Sequence, residues 1–127
     1  MLLLALLLGG GVWTYRLLER GEQSMRESDQ AFHRGALSES MRGAELALRA
    51  YVPGAPHVHA AEDRLRAIAR GAEAEGKLTI ARAAWDALRV HEERTDYPGR
   101  GATRYGEEAS AALIRIDRRL AEGAGGP

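Results

Sequence analysis

Pro56-His57-Val58-His59-Ala60-Ala61-Glu62-Asp63-Arg64-Leu65-Arg66-Ala67-Ile68-Ala69-Arg70-Gly71-Ala72-Glu73-Ala74-Glu75 decides the fold class of this 127-residue chain. Val58, Ala61, Leu65, Ile68 and Ala72 step by three, four, three and four, which sets them on one face of a helix. Pro56 suits the first position of that helix, where its missing N–H costs nothing. Upstream, Pro53-Gly54-Ala55-Pro56 ends a preceding helix that runs to about Val52 and carries Met41, Ala44, Leu48 and Tyr51 on one face. Downstream, Gly76-Lys77 makes a turn into a fourth helix, about Leu78–Glu93, with Leu78, Ala81, Trp85 and Leu88 on its buried side. Asp96–Gly101 reads as a loop around Pro98-Gly99. A fifth helix is expected at about Thr103–Leu120, burying Tyr105, Ala109, Leu113, Ile116 and Leu120, and residues 121–127 read as a flexible tail. Valine and isoleucine never alternate over a strand length, so the reading is all-α.

Toward the N-terminus, a thinner stripe of Met25, Phe32 and Ala36 marks a first helix to about Ala36. Gly35-Ala36-Leu37 turns it, Ser38 is placed to cap the next helix, and Gly21 is placed to kink the first. Before that, Leu2–Leu8 is unbroken Leu and Ala, and no charged side chain appears until Arg16. Seventeen residues from Leu2 to Leu18 make about 25 Å of helix, the lower limit for a hydrocarbon layer of about 30 Å. Trp13 and Tyr15 stand where an interfacial aromatic belt would place them, and Arg16 can extend to the interface. The domain organisation read here is a membrane anchor over residues 1–20, an antiparallel helical-hairpin domain over 21–120 and the tail. A cleaved signal peptide is the competing reading, with Gly9 and Gly11 as a weak small-x-small site and no basic residue before the apolar run. Arg16, Arg20 and Arg26 favour the cytoplasmic side, but the short leading tail favours export, and export of the domain is the expectation.

The stretch Gly76-Lys77-Leu78-Thr79-Ile80-Ala81-Arg82-Ala83-Ala84-Trp85-Asp86-Ala87-Leu88 resembles the second helix of a tetratricopeptide repeat. Ala81 takes the family's small position and Trp85 its aromatic one, while Leu88 is larger than the usual alanine. Gly35–Tyr51 fits more loosely, 41 residues earlier, with Ser40 and Ala44 at the corresponding positions. The resemblance covers about residues 31–90. It implies stacked helical hairpins, in which a terminal helix acts as a cap, and binding of another protein.

Composition narrows the chemistry. The absence of cysteine excludes disulfides, thiolate metal sites and thiol catalysis. Eighteen basic side chains face 18 acidic ones, which argues against nucleic acid as a partner. His57 and His59 diverge on a helix and are read as a solvent-exposed helix start, so no metal is expected. No nucleophile, base and orienting group occur together, so neither an enzyme nor a cofactor is expected. Arg64, Arg66, Arg70, Arg82 and Arg89 read as a solvated face laced with Glu62, Asp63, Glu73 and Asp86. The expected function is a membrane-anchored scaffold or accessory subunit whose partners are other protein subunits or a second copy. The alternative is an exported soluble binding protein. Tyr97 and Arg100, on the Asp96–Gly101 loop, are the expected protein contacts.

Overall fold

The computed structural model describes residues 1–96 and 104–124. Five helices occur among the described residues, and no strand: α1 (Leu2–His33), α2 (Leu37–Arg49), α3 (Pro56–Ala74), α4 (Leu78–Arg94) and α5 (Gly106–Ala124). The chain divides into two compact units, Met1–Ala61 and Glu62–Pro127, and the boundary falls inside α3.

In the first unit, α1 is one continuous helix of 32 residues. Gly21 does not interrupt it. The residue is buried instead, because the His57 ring lies against it: a Cβ there would stand 2.3 Å from His57 Cδ2. From Leu2 to Trp13 every residue is exposed. Burial of α1 increases from Leu17 and Leu18 and becomes complete at Gly21, Met25, Ser28 and Ala31. These residues are spaced by four, three and three, one helical face. That face packs on Ser40, Gly43, Ala44 and Ala47 of α2 through small side chains. Of the expected α1 stripe, Met25 is buried and Phe32 and Ala36 are half-buried. Ser38 is not the cap of α2. The helix starts two residues earlier, with Ala36 at the cap position, because the preceding turn fixes the backbone first.

That turn occurs twice. Gly35 has φ 75° and Gly76 has φ 76°, a region glycine enters without a Cβ penalty. Around the first, the Ala36 N–H donates to Ala31 O at 2.9 Å and the Gly35 N–H to Phe32 O at 3.0 Å. Around the second, the Lys77 N–H donates to Ala72 O at 2.8 Å and the Gly76 N–H to Glu73 O at 3.1 Å. Both are Schellman endings, which satisfy the last carbonyls of the helix before them. They stand 41 residues apart, and so do the buried pairs Ser28 and Ala69, Ala31 and Ala72, Ser40 and Ala81, and Ala44 and Trp85.

In the second unit, the core collects Leu65, Ile68, Ala69 and Ala72 of α3, Ala81, Ala84, Trp85 and Leu88 of α4, and Ala109, Ala112, Leu113 and Ile116 of α5. Trp85 is its largest side chain, with 1% of its surface exposed. The expected α5 stripe ends early: Leu120 is 37% exposed, although the helix itself continues past it to Ala124.

Candidate functional site

Three places in the described residues could carry function. The first is the outer half of α1. Leu2, Leu3, Leu4, Leu6, Leu7, Leu8, Val12 and Trp13 are all exposed large apolar side chains. This helix is long and apolar enough to cross a membrane. Thr14 Oγ1 donates to the Gly10 carbonyl at 2.9 Å, so its hydroxyl is satisfied within the helix.

The second is the face shared by α3 and α5. Tyr105 OH donates to Asp63 Oδ1 at 2.5 Å, Arg66 Nε to Glu108 Oε2 at 2.7 Å, and Arg115 Nε to Glu73 Oε1 at 2.5 Å. Each pair is separated by 42 residues. A constant separation means that the two helices run in the same direction in fixed register, which requires a returning helix between them. That helix is α4: Trp85 Nε1 donates to Glu73 Oε2 at 3.3 Å and Arg82 Nε to Asp117 Oδ1 at 2.8 Å. Glu73 therefore joins all three helices. The Arg115 guanidinium, and after it the Trp85 N–H, hold its carboxyl below the usual glutamate range, against an opposing effect of burial. The hydrogen bond to Asp63, together with burial, raises the Tyr105 hydroxyl above its ordinary value. The guanidinium carbons of Arg66 and Arg104 stand 5.1 and 4.9 Å from the Tyr105 ring centre. A shallow cleft of about 600 Å³ opens along this face, lined by Arg70, Glu73, Trp85, Glu108, Arg115 and Arg119 among others.

The third is a buried polar group next to the end of α4. Glu62 is 1% exposed, and it lies 3.5 Å from Arg104 Nη1 and 3.9 Å from His91 Nε2. His91 and Glu92 are also buried, and Thr95 Oγ1 closes the helix by donating to His91 O at 2.8 Å. Glu62 is therefore internal and does not belong to the solvated face expected for it. It follows Ala61 on the inner side of α3, and Arg104 supplies the charge that makes its burial affordable.

The arginines expected as a solvated face are mostly paired. Arg66 and Arg82 bridge to α5, and Arg89 holds Asp86 at 2.9 Å and Glu93 at 2.5 Å within α4. His57 is a second correction. It is 4% exposed rather than solvent-facing, and its Nε2–H donates to the Ala50 carbonyl at 2.6 Å. That bond ties the start of α3 to the end of α2, while the exposed His59 faces away from it. Among the described residues, no three His, Asp or Glu side chains are grouped to hold a metal ion. Tyr97 and Arg100, the expected protein contacts, lie outside the described residues.

The sequence reading missed Glu73 as a junction, the Glu62 group, and the small-residue seam of Ser28, Ser40 and Gly43. The repeated 42-residue separation of opposite charges on two apolar-striped helices was the available signal for the first. No family model, no curated protein and no solved structure matches the chain.

Proposed function

We propose that this chain is a membrane-anchored scaffold, a small accessory subunit that holds a helical interaction domain beside a bilayer. The observation that carries the reading is the division of α1. Its outer half is apolar and exposed on all sides, whereas its inner half is built into a folded unit through Gly21, Met25, Ser28 and Ala31. Exposed apolar surface of this extent belongs in lipid or against a partner. On this reading, residues 1–20 enter the membrane and the remaining helices form tetratricopeptide-like hairpins that contact other protein subunits. The two Schellman turns 41 residues apart support the hairpin assignment, as does the parallel register of α3 and α5 with α4 returning between them. Two hairpins and a closing helix are few for a repeat of this kind, and short arrays gain stability from a partner. Tyr97 and Arg100 are the proposed contacts.

The test is purification of the full-length, C-terminally tagged chain in mild detergent, followed by intact mass and identification of co-purifying proteins. Retention of residues 1–11, resistance to carbonate extraction and a stoichiometric partner are expected. Mature protein lacking those residues would favour the exported soluble form. Extraction of uncleaved chain by carbonate would overturn the anchor. Tyr97→Ser with Arg100→Ser should remove the partner and leave the melting temperature unchanged. Protease access to the tag in intact cells tests the exported placement of the domain.

A further inference from the structure

The turn between α2 and α3 has a composition unlike the rest of the folded region. From Ala50 to Ala61, twelve consecutive residues carry no Asp, Glu, Lys or Arg. No other stretch after Arg16 is uncharged for as long. Within it, Tyr51-Val52-Pro53-Gly54-Ala55-Pro56 forms the turn, with Tyr51 and Val52 half-buried and Pro53, Gly54 and Pro56 exposed.

The position of this turn along α1 follows from the packing of the first unit. Ser28 of α1 and Ser40 of α2 exchange hydrogen bonds, so they stand at one level. Gly43 lies against Ser24, so α2 runs back toward the N-terminal end of α1. Nine residues beyond Ser40, Arg49 ends α2, about 14 Å further along at about 1.5 Å per residue. That is the level of residues 18–20 of α1. One further link places it independently: the His57 ring, whose Nε2–H donates to Ala50 O at 2.6 Å, lies against Gly21 of α1. The turn is therefore bracketed at the level where the apolar run Leu2–Leu18 ends, and α1 shows partial burial from Leu17 and Leu18 onward.

We infer that the Tyr51–Pro56 turn is a second membrane contact, resting in the interfacial layer of the bilayer that α1 enters. The inference rests on the anchor reading. Its occupant is the uncharged headgroup–acyl boundary of phospholipid, because the turn offers a tyrosine, a valine and two prolines and no cation for an anionic headgroup. Tyrosine is enriched at that depth, with its ring toward the acyl chains and its hydroxyl in water.

The chain has no cysteine, so single labels can be placed cleanly. Full-length Val12→Cys, Arg20→Cys, Arg34→Cys and Pro53→Cys variants, each carrying an environment-sensitive fluorophore, are reconstituted in phosphatidylcholine vesicles. A fraction of the lipid bears a nitroxide near the top of its acyl chain. Pro53 lies outside every helix, so labelling it leaves the packed seam intact. The expected result is quenching at position 53 that matches position 20 and exceeds position 34 several-fold. Quenching at 53 as low as at 34, with position 12 still quenched, would overturn the contact and leave the anchor standing. Absence of quenching at 12, 20 and 53 together would overturn both.

Discussion

Ser28 and Ser40 satisfy each other across the α1–α2 seam: Ser28 Oγ donates to Ser40 O at 2.6 Å, and Ser40 Oγ donates to Ser28 O at 2.9 Å. Both side chains are fully buried, so each hydroxyl has exchanged water for the backbone of the opposite helix. Ser28→Ala or Ser40→Ala alone should cost about 1 kcal/mol, the loss of one buried hydrogen bond, since the carbonyl it served keeps the N–H of its own helix. The double variant should cost measurably less or more than the sum of the two, since the residues touch. Chemical denaturation of the four proteins closes the cycle, and strict additivity would show that the two hydroxyls act separately.

Beside this pair, Gly43 admits no side chain. A Cβ there would stand 2.9 Å from Ser24 O and 2.9 Å from Ser28 Cβ. Backbone cannot swing aside as a side-chain tip can, so Gly43→Ala should force α1 and α2 apart and cost about 1–3 kcal/mol. Gly71→Ala, in α3, meets nothing within 4 Å and should instead gain about 0.5–1 kcal/mol from helix propensity. Opposite shifts in melting temperature are the expected readout.

Trp85 gives the largest expected loss. Trp85→Ala should cost about 3–5 kcal/mol, because the ring fills the second unit's core. Trp85→Phe retains most of the apolar contact but removes the N–H that Glu73 accepts, and should fall between Trp85→Ala and the parent protein. Arg82→Ala removes only an exposed pair with Asp117 and should change stability by less than about 0.5 kcal/mol. Similar losses from Trp85→Ala and Arg82→Ala would contradict this core.

The pH dependence follows from Glu73. Its carboxyl is held below the usual range in the folded protein, chiefly by Arg115. Ionised Glu73 therefore contributes its full stabilisation above the unfolded value of about 4.3, and loses it as pH falls through the lower folded value. Acid titration of the melting temperature should show a steeper fall below pH of about 4.3 in the parent than in Glu73→Gln. Parallel curves would place the acid sensitivity elsewhere.

Insertion of the outer half of α1 is open to direct measurement. Leu6→Arg places a guanidinium near the middle of the apolar run and should cost about 2.5–3.5 kcal/mol of insertion free energy. The parent should sediment with membranes after carbonate washing, and the variant should partition into the supernatant. Equal retention would mean that lipid does not surround position 6.

The apolar stripes were legible because they rest on apolar side chains at helical spacing, and Val58, Ala61, Leu65, Ile68 and Ala72 are all buried as their periodicity requires. The α1–α2 seam was illegible for the opposite reason. Ser28, Ser40 and Gly43 pack by close approach of the two helices, which hydropathy does not register. Ser38 misled because a hydroxyl before a helix is an ordinary cap, yet the Schellman ending at Gly35 and Ala36 had already set where α2 begins. Glu62 and His57 are polar residues made internal by distant partners, Arg104 and His91 beside the first and Ala50 O for the second, and a single sequence does not pair them. The candidate contacts Tyr97 and Arg100 rested on residue type alone.

The unbroken course of α1 has a mechanical consequence. A helix without a hinge behaves as a shaft: rotation of its outer half turns α2 by the same angle, and tilt is delivered with equal fidelity. One residue added between Val12 and Leu17 would re-aim the seam by about 100° and displace it about 1.5 Å along the axis. The azimuth of the folded unit is thus written into the residue count of the outer half, as the phase of a screw is written into its thread.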